Sequence, residues 1–455
     1  MRRGLSAWIY AASTGLCLLF TGAIADLGAQ DVVAGGEAVL LPSVTLSPLL
    51  VDPIQPRLRT EFRPIVRVSG ELIELSASAR IWHEIPDPDS PVLESGGASL
   101  DELRLSFTPA QWLRVELGKT TLPAGKALLL SPNDLYAGRS LDAILRGDLE
   151  PAAGTQILVA GTVFLGPGTF TLVGVPVPAV PQLFEPGSIW IPRFPVDEVI
   201  DDPRISSEPV TLGEIYAEPT RVTLEHYQRV SGGAHVGMYL GPVDLSLLYY
   251  HGVDRSPVPR VRIDFPQAPV DTYDLYLAPE EAIVDSFGIV AEAVAGSSTF
   301  WIDAAYVPNK TVTTTTIDPY SKRSRLLTAP ALTAVAGASY AARSLDLYLT
   351  GEYYFGHTFL PDGVAAEDTV VSPLSNDVFV SISMRAGARS RVGISLAGIA
   401  SFDDSSGVVS LSVAYEPSPA FTAAIRAPLF LGPPDSDFGQ YHDILHIVSE
   451  IRYRY

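Results

Sequence analysis

Charged residues recurring at every second position are the feature of this sequence most able to do chemistry. Arg63, Arg67, Glu74, Arg80, Arg104, Arg114, Glu116, Glu292, Asp303, Glu352, Arg385, Arg391 and Arg426 all lie on the face opposite a stripe of mostly apolar residues. A strand turns successive side chains to opposite faces, so these charges share one face and the aliphatic residues the other. Facing hydrocarbon, a charge at the midplane costs ~2–4 kcal/mol, so this face must look into an aqueous or paired interior. A wall of this kind sorts ions and solutes and breaks no bond. The arginines gather in the first third of the chain and the acids between positions 285 and 352. That distribution predicts two opposed charged walls with a field between them. The competing reading is a set of salt bridges that only braces and hydrates the interior.

Other chemistry finds little support. His442 and His446 are four apart, about 13 Å along a strand, too far to share a metal. The glycines between Gly161 and Gly168 lack the lysine of a phosphate loop, and neither Gly-x-Ser-x-Gly nor His-Glu-x-x-His occurs. The expectation is therefore no enzyme, no cofactor and no metal. Asp435-Ser-Asp437 and Asp201-Asp202 are acidic enough to attract Ca²⁺, although a solvated acidic loop is the simpler reading.

The elements that position these charges are strands. In Glu71–Ile85, Ile73, Leu75, Ala77, Ala79 and Ile81 alternate with polar residues. That run is long for a globular strand, usually ~5–6 residues, and suits a tilted bilayer crossing. The pattern recurs at 103–107, 113–117, 243–248, 345–350, 378–383, 392–396 and 409–415. Short connections are expected at 69–71, 109–111, 166–168, 296–298, 343 and 417–419, and long ones at 122–154, 179–217, 309–325, 357–374 and 429–440. The stretch 219–283 is ambiguous.

Composition narrows the setting. Acidic residues outnumber basic ones by 51 to 31, which disfavours nucleic acid or anionic headgroups as partners. Charged residues make up 18% of the chain, against about 25% in soluble domains. No run after position 25 reaches the ~18 apolar residues of a membrane helix. Met1-Arg2-Arg3, the apolar stretch from Leu5 to Ile24 and Ala23-Ile24-Ala25 read as a secretory signal over residues 1–25. Cys17, the single cysteine, falls inside it, so no disulfide is expected afterwards. An exported, apolar chain without a spanning helix has one place for its greasy surface, the outside of a barrel in lipid.

The final stretch, Tyr441 to Tyr455, sets Leu445, Ile447, Ile451, Tyr453 and Tyr455 on one face and His446, Glu450, Arg452 and Arg454 on the other. A terminal aromatic after alternating apolar positions resembles the assembly signal of bacterial outer-membrane β-barrels of porin type. Leu113 to Lys119, followed by Ser131-Pro-Asn-Asp-Leu-Tyr136, is similar to a porin-type strand ending in Gly-Lys and leading into a Pro-x-Asp loop. The Trp-Gly usual in that loop is replaced by Leu122-Pro-Ala-Gly125. The resemblance implies an all-β fold: a single antiparallel transmembrane β-barrel of about 18 strands (16–20), with short periplasmic turns and long extracellular loops. Residues 57–455 form the barrel, after an N-terminal segment 26–56 with a possible first strand near Ala38–Leu46. The twelve alternating charges from Arg63 to Arg391 line the pore. Lys119, Lys126 and Asp134 belong to a constriction loop, and Ile451, Tyr453 and Tyr455 to the assembly signal. The implied partners are outer-membrane lipid, the barrel-assembly machinery and small hydrophilic solutes diffusing passively. The alternative is a closed barrel serving as surface antigen, adhesin or receptor.

Overall fold

A computed structural model describes residues 31–46, 54–85, 95–136, 155–178, 199–200, 210–264 except 219, 223, 226 and 257, then 272–318, 323–364, 369–370, 375–385 and 391–455. The expected signal segment 1–25 and Asp201-Asp202 lie outside the described residues. Among the described residues twenty-three strands form one sheet. In chain order they are β1 (Asp31–Leu46), β2 (Ile54–Ser69), β3 (Ile73–Ile85), β4 (Ser95–Ala110), β5 (Leu113–Thr120), β6 (Gln156–Leu165), β7 (Gly168–Val177), β8 (Val199–Ile200), β9 (Val210–Ala217), β10 (Ser231–Leu240), β11 (Val243–Val253), β12 (Val261–Asp264), β13 (Thr272–Leu277), β14 (Ile283–Ala295), β15 (Ser298–Asp318), β16 (Arg323–Ala342), β17 (Leu347–Thr358), β18 (Thr369–Val370), β19 (Asn376–Arg385), β20 (Val392–Ser401), β21 (Gly407–Ser418), β22 (Phe421–Leu431) and β23 (Leu445–Arg454).

Eighteen of them close a barrel. β1 to β7 pair in sequence, β7 pairs with β10, β10 with β11, β11 with β14, β14 to β17 in sequence, β17 with β19, and β19 to β23 in sequence. Every one of these pairings is antiparallel, and β1 closes the ring by pairing with β23, Glu37 opposite Arg454 and Leu40 opposite Ile451. The other five strands belong to connections; β9 and β13 pair in parallel. Among the described residues, seven connections at one end, between 70–72 and 419–420, are turns of two to four residues. The opposite end carries long loops, among them 121–155, 178–230, 254–282 and 432–444.

Alternation decides which way each strand faces. Leu103, Leu117, Val159, Leu172, Leu247, Ile289, Ile302, Val380, Leu396, Leu411 and Ile425 are exposed on the outside, although each is large and apolar. Aromatic residues flank this belt. Tyr249, Phe287 and Tyr306 stand in one register row near the loop end, and Tyr340, Tyr415 and Tyr453 stand near the turns. Tyr306 is eight residues along β15 from Ser298, the partner of Tyr340. At ~3.4 Å per residue and a tilt near 40° that spans roughly 20 Å, close to the ~25 Å apolar band of membrane barrels. The protein is a transmembrane β-barrel.

Three boundaries differ from expectation. β1 begins at Asp31, so the barrel takes in most of the segment 26–56. The stretch 309–325 is not a long loop: β15 and β16 run on, with Thr311 opposite Thr328 and Ile317 opposite Ser324. Above the bilayer a hairpin needs no apolar stripe, and the β-branched threonines there favour strand by themselves. Within 219–283, β10 and β11 are wall strands, whereas β12 and β13 lie at the loop end and bury their own Val261, Ile263, Tyr273 and Leu275.

Candidate constriction in the barrel lumen

Arginine and glutamate ladders line the inner face of β2 to β5. Arg59 and Arg63 both pair with Glu61, which is 5% exposed. Arg80 reaches Asp101 at 3.1 Å. Arg104 touches Glu74 at 2.8 Å, with Glu102 at 3.6 Å and Glu116 at 3.7 Å. Arg59 lies over the Trp82 ring, and Arg114 over Phe164. Arg67 and Arg114 make no ion pair among the described residues and are exposed. Buried Glu61 apart, these side chains keep solvent contact while sharing charge, the condition of a hydrated wall.

The opposite wall is built differently. β15 to β17 lie halfway round the ring from β2 to β4, and they receive the loop that follows β5. Asp303 on β15 and Glu352 on β17 are 0% and 3% exposed. Asp303 Oδ2 accepts the Lys126 N–H (3.0 Å), the Ala127 N–H (3.4 Å) and the Ser131 hydroxyl (2.6 Å), while Asn133 Nδ2 donates to Oδ1. Glu352 accepts the Leu128 N–H (2.7 Å), the Leu129 N–H (3.4 Å), Trp301 Nε1 (3.0 Å) and the Tyr354 hydroxyl (2.5 Å). A carboxylate buried this far is tolerable only with donors around it. Here much of the donor set is loop backbone, so desolvating the two acids and holding the loop are one event. Lys126 pairs with Glu292 and lies 3.6 Å from Asp244.

Glycines cut the seats for the loop side chains. A Cβ at Gly288 would collide with the Asn133 amide, and one at Gly233 with the Tyr136 hydroxyl. Apolar contacts finish the docking. Ala127 and Leu129 join a buried cluster with Val335, Tyr354, Phe379, Ile399, Val408 and Phe430 of the wall and with Phe438, Tyr441 and Ile444 of the 432–444 loop. Tyr136 enters a second cluster with Leu158, Val175, Tyr250 and Val284. Leu128 is the exception, 43% exposed and turned from the buried side taken by Leu129.

The alternating charges therefore occupy several environments. Arg63, Arg67, Glu74, Arg80, Arg104, Arg114 and Glu116 stand together on one inner wall. Glu292 is tied to Lys126. Asp303 and Glu352 project inward as their parity requires, but the loop covers them and removes them from the water. Arg385 sits at the turn end, 3.8 Å from Asp346 and 3.6 Å from Glu416, and Arg391 is exposed in the turn before β20. Of the three residues expected in a constriction loop, Lys126 and Asp134 lie in the loop docked on β15 and β17. Asp134 Oδ1 accepts the Ala124 and Gly125 N–H groups, both at 3.1 Å, and shapes the loop from within. Lys119 is in β5, on the outward face opposite Leu103, and donates to the Leu100 carbonyl. Its parity matches Leu117, which could have been read from the alternation.

Tyr455 meets the first strand. Its N–H and carbonyl bond to Gly36, its ring stacks on Phe62 with centroids 5.8 Å apart, and Ile451 and Tyr453 face outward beside Leu40 and Ala38. Asn133, Tyr136, Leu129, Trp301 and Tyr354 escaped sequence reasoning. Asn133 and Tyr136 lay within the quoted Ser131–Tyr136 motif, and the glycines opposite them were the missing half of the signal.

In fold the chain is a closed, antiparallel barrel, short-turned at one end, with a loop folded into its lumen. No protein-family model matches the sequence, and no curated protein matches it. Solved structures similar to it include Pseudomonas aeruginosa OccK5 (OpdH), at 9% identity and TM-score 0.46 over 94% of this chain and 98% of that one. Salmonella typhi OmpF, in complex with daunomycin, matches at 6% identity and TM-score 0.42 over 93% and 97%. A mutant of Rh. blastica porin matches at 11% and 0.38 over 93% and 100%.

Proposed function

We propose that the protein is an outer-membrane channel through which small hydrophilic solutes or ions diffuse passively. The observation that carries this reading is the juxtaposition inside one barrel: a solvent-contacting ladder of arginines and carboxylates on β2 to β5, faced by a loop pinned to β15 and β17. A fold needing only stability would gain little from charged pairs left wet, since each contributes ~0–1 kcal/mol. Such a ladder does set how ions and polar solutes partition into a lumen. On this reading residues 1–25 direct export, and Ile451, Tyr453 and Tyr455 present the last strand to the barrel-assembly machinery.

The test is single-channel recording of the purified protein in planar bilayers, with liposome swelling by small sugars alongside. Discrete current steps and swelling are expected. A folded barrel that passes no current at any voltage overturns the reading. It would favour the closed barrel acting through its loops, to which the buried apolar clusters inside the lumen lend support.

A further inference from the structure

The outward face of the barrel carries a fixed polar cluster at the loop edge of its apolar belt. His251 on β11 stands opposite Asp285 on β14. Tyr249 and Phe287, two residues away along each strand, are exposed on the outside, while Tyr250 and Ser286 between them are buried. His251 and Asp285 therefore face outward as well. Asp285 accepts the Tyr249 hydroxyl (3.0 Å), His251 Nδ1 (2.9 Å) and Asn309 Nδ2 (3.2 Å), and Asn309 Oδ1 accepts the Asp285 N–H (2.8 Å). A bulge in β15 between Val307 and Lys310 brings Asn309 to the group. The imidazole is thus held by Nδ1 and offers Nε2 outward; the side chains of His251 and Asp285 are 53% and 33% exposed.

Beside this cluster the wall loses its side chains. Gly232 of β10 lies opposite His251, and Gly174 of β7 opposite Gly232. Both share the outward parity: Gly233 seats the Tyr136 hydroxyl on the lumen side, and Val173 and Val175 are buried. A Cβ at Gly174 would meet nothing within 4 Å. Val159, the next partner in the row, is exposed. The result is a trough three strand spacings wide, about 14 Å. Backbone floors it, His251 and Tyr249 wall one side, and Val159 and Leu172 the other. Gly174, Gly232, His251 and Asp285 lie six to ten residues from their turns. On a wall tilted near 40° that is ~16–26 Å up, at the loop-side edge of a ~25 Å apolar band.

We propose that this trough binds the sugar headgroup of an outer-leaflet glycolipid, whose acyl chains run down the belt past Leu247 and Ile289. Charge selects the sugar over a phosphate. Lys310, beside Asn309, is turned to buried Asp254 at 2.6 Å, so it does not offset Asp285, whose carboxylate repels an anion. A sugar hydroxyl, in contrast, donates to that carboxylate and meets the imidazole Nε2 as donor or acceptor. A floor without side chains lets a flat ring approach the backbone, and the Tyr249 and Phe287 rings, 5.2 Å apart, supply an apolar face at its lower edge. Three donors held on Asp285 fix the geometry before the lipid arrives, which spares the ordering cost of binding. The leaflet in which the ligand is met rests on the proposed outer-membrane placement; the sugar chemistry rests on the trough alone.

The experiment is native mass spectrometry of the full chain refolded in detergent and given equal amounts of diglucosyl diacylglycerol and phosphatidylglycerol with the same acyl chains. One glycolipid retained about tenfold over the phospholipid is expected. Asp285→Ala and His251→Ala should each bring retention down to the phospholipid level, and Lys119→Gln, outward on β5, should leave it as it was. Gly174→Leu fills the trough from a position where a side chain meets nothing, so it should block the glycolipid in a folded barrel even if Asp285→Ala fails to fold. Equal retention of the two lipids, preference for the phospholipid, or unchanged glycolipid retention in Gly174→Leu overturns the proposal. Glycolipid held by a barrel that passes no current would leave the site standing and the channel reading fallen; current steps with equal retention of the two lipids would do the reverse.

Discussion

Replacing Glu352 by leucine removes the acceptor of four donors at once: two loop N–H groups, the Trp301 indole and the Tyr354 hydroxyl. Leaving a buried donor unsatisfied costs ~1–3 kcal/mol. Four of them at the low end give about 4 kcal/mol against the docked loop. The strand ladder of β17 is untouched, because none of these bonds belongs to it. The cost therefore falls on loop docking rather than on barrel closure, and at ~1.4 kcal/mol per tenfold it shifts the ratio of undocked to docked loop by about 10³. Thiol labelling reads this directly, because the only native cysteine is Cys17. In a Cys17-free background, Leu128→Cys should label at one rate with the native latch. With Glu352→Leu added, a cysteine placed at the buried position Leu129 should become reactive as well. In bilayers the same variant should show larger and noisier current steps. Leu129→Cys remaining inert in Glu352→Leu, with the current unchanged, would refute the claim that this carboxylate holds the loop.

Four further outcomes are expected. Gly288→Val should expel Asn133 from its seat and reproduce the leaky behaviour of Glu352→Leu, while heat-modifiable gel mobility still reports a closed barrel. Ile302→Arg, in the middle of the exposed belt, should lower bilayer stability by ~2–4 kcal/mol in denaturant unfolding; a change within 0.5 kcal/mol would mean that face does not meet hydrocarbon. Tyr455→Ala, which removes the ring stacked on Phe62, should slow refolding into detergent micelles, whereas Tyr455→Phe should not. Neutralising Arg104 and Arg114 together leaves Glu74, Glu102 and Glu116 without their basic neighbours, so the reversal potential in a salt gradient should move toward cation preference. No movement would remove that wall from the permeation path.

Much of the fold was legible because one rule, alternation, was obeyed along most strands. Ile73, Leu103, Leu117 and Ile425 could be placed outside, and Arg80, Arg104 and Glu116 inside, from parity alone. What parity cannot state is depth and cover. Asp303 and Arg104 share an inward parity, yet one is sealed under backbone N–H groups and the other is wet. The difference lies in a loop more than 170 residues away in sequence from Asp303. The niches at Gly233 and Gly288 were illegible for the same reason: a glycine in a strand reports a missing side chain, not whose ring or amide fills the space. Lys119 shows the opposite failure. Its Gly-Lys motif drew it toward the constriction, while its parity with Leu117 placed it outside.

The opposed charged walls expected from the distribution of arginines and acids need revising on these grounds. Asp303 and Glu352 do lie across the ring from Arg63, Arg80 and Arg104, but their charge is met by N–H and O–H dipoles before it reaches the lumen, and Glu292 is met by Lys126. On the proposed channel reading, a solute in the lumen would have arginines and carboxylates with solvent contact on one side. On the other it has Leu128 and the polypeptide backbone. Because Coulomb energy falls with distance, the ladder on β2 to β5, its arginines together with their carboxylates, would dominate what an ion in the lumen feels. Undocking the loop would restore the acids as a second wall. Glu352→Gln separates the two effects: it removes the charge yet keeps one acceptor oxygen, so it should loosen the loop less than leucine does. If selectivity nonetheless shifts as far in Glu352→Gln as in the leucine variant, the charge of Glu352 acts through the loop, and its neutralisation by the backbone is refuted.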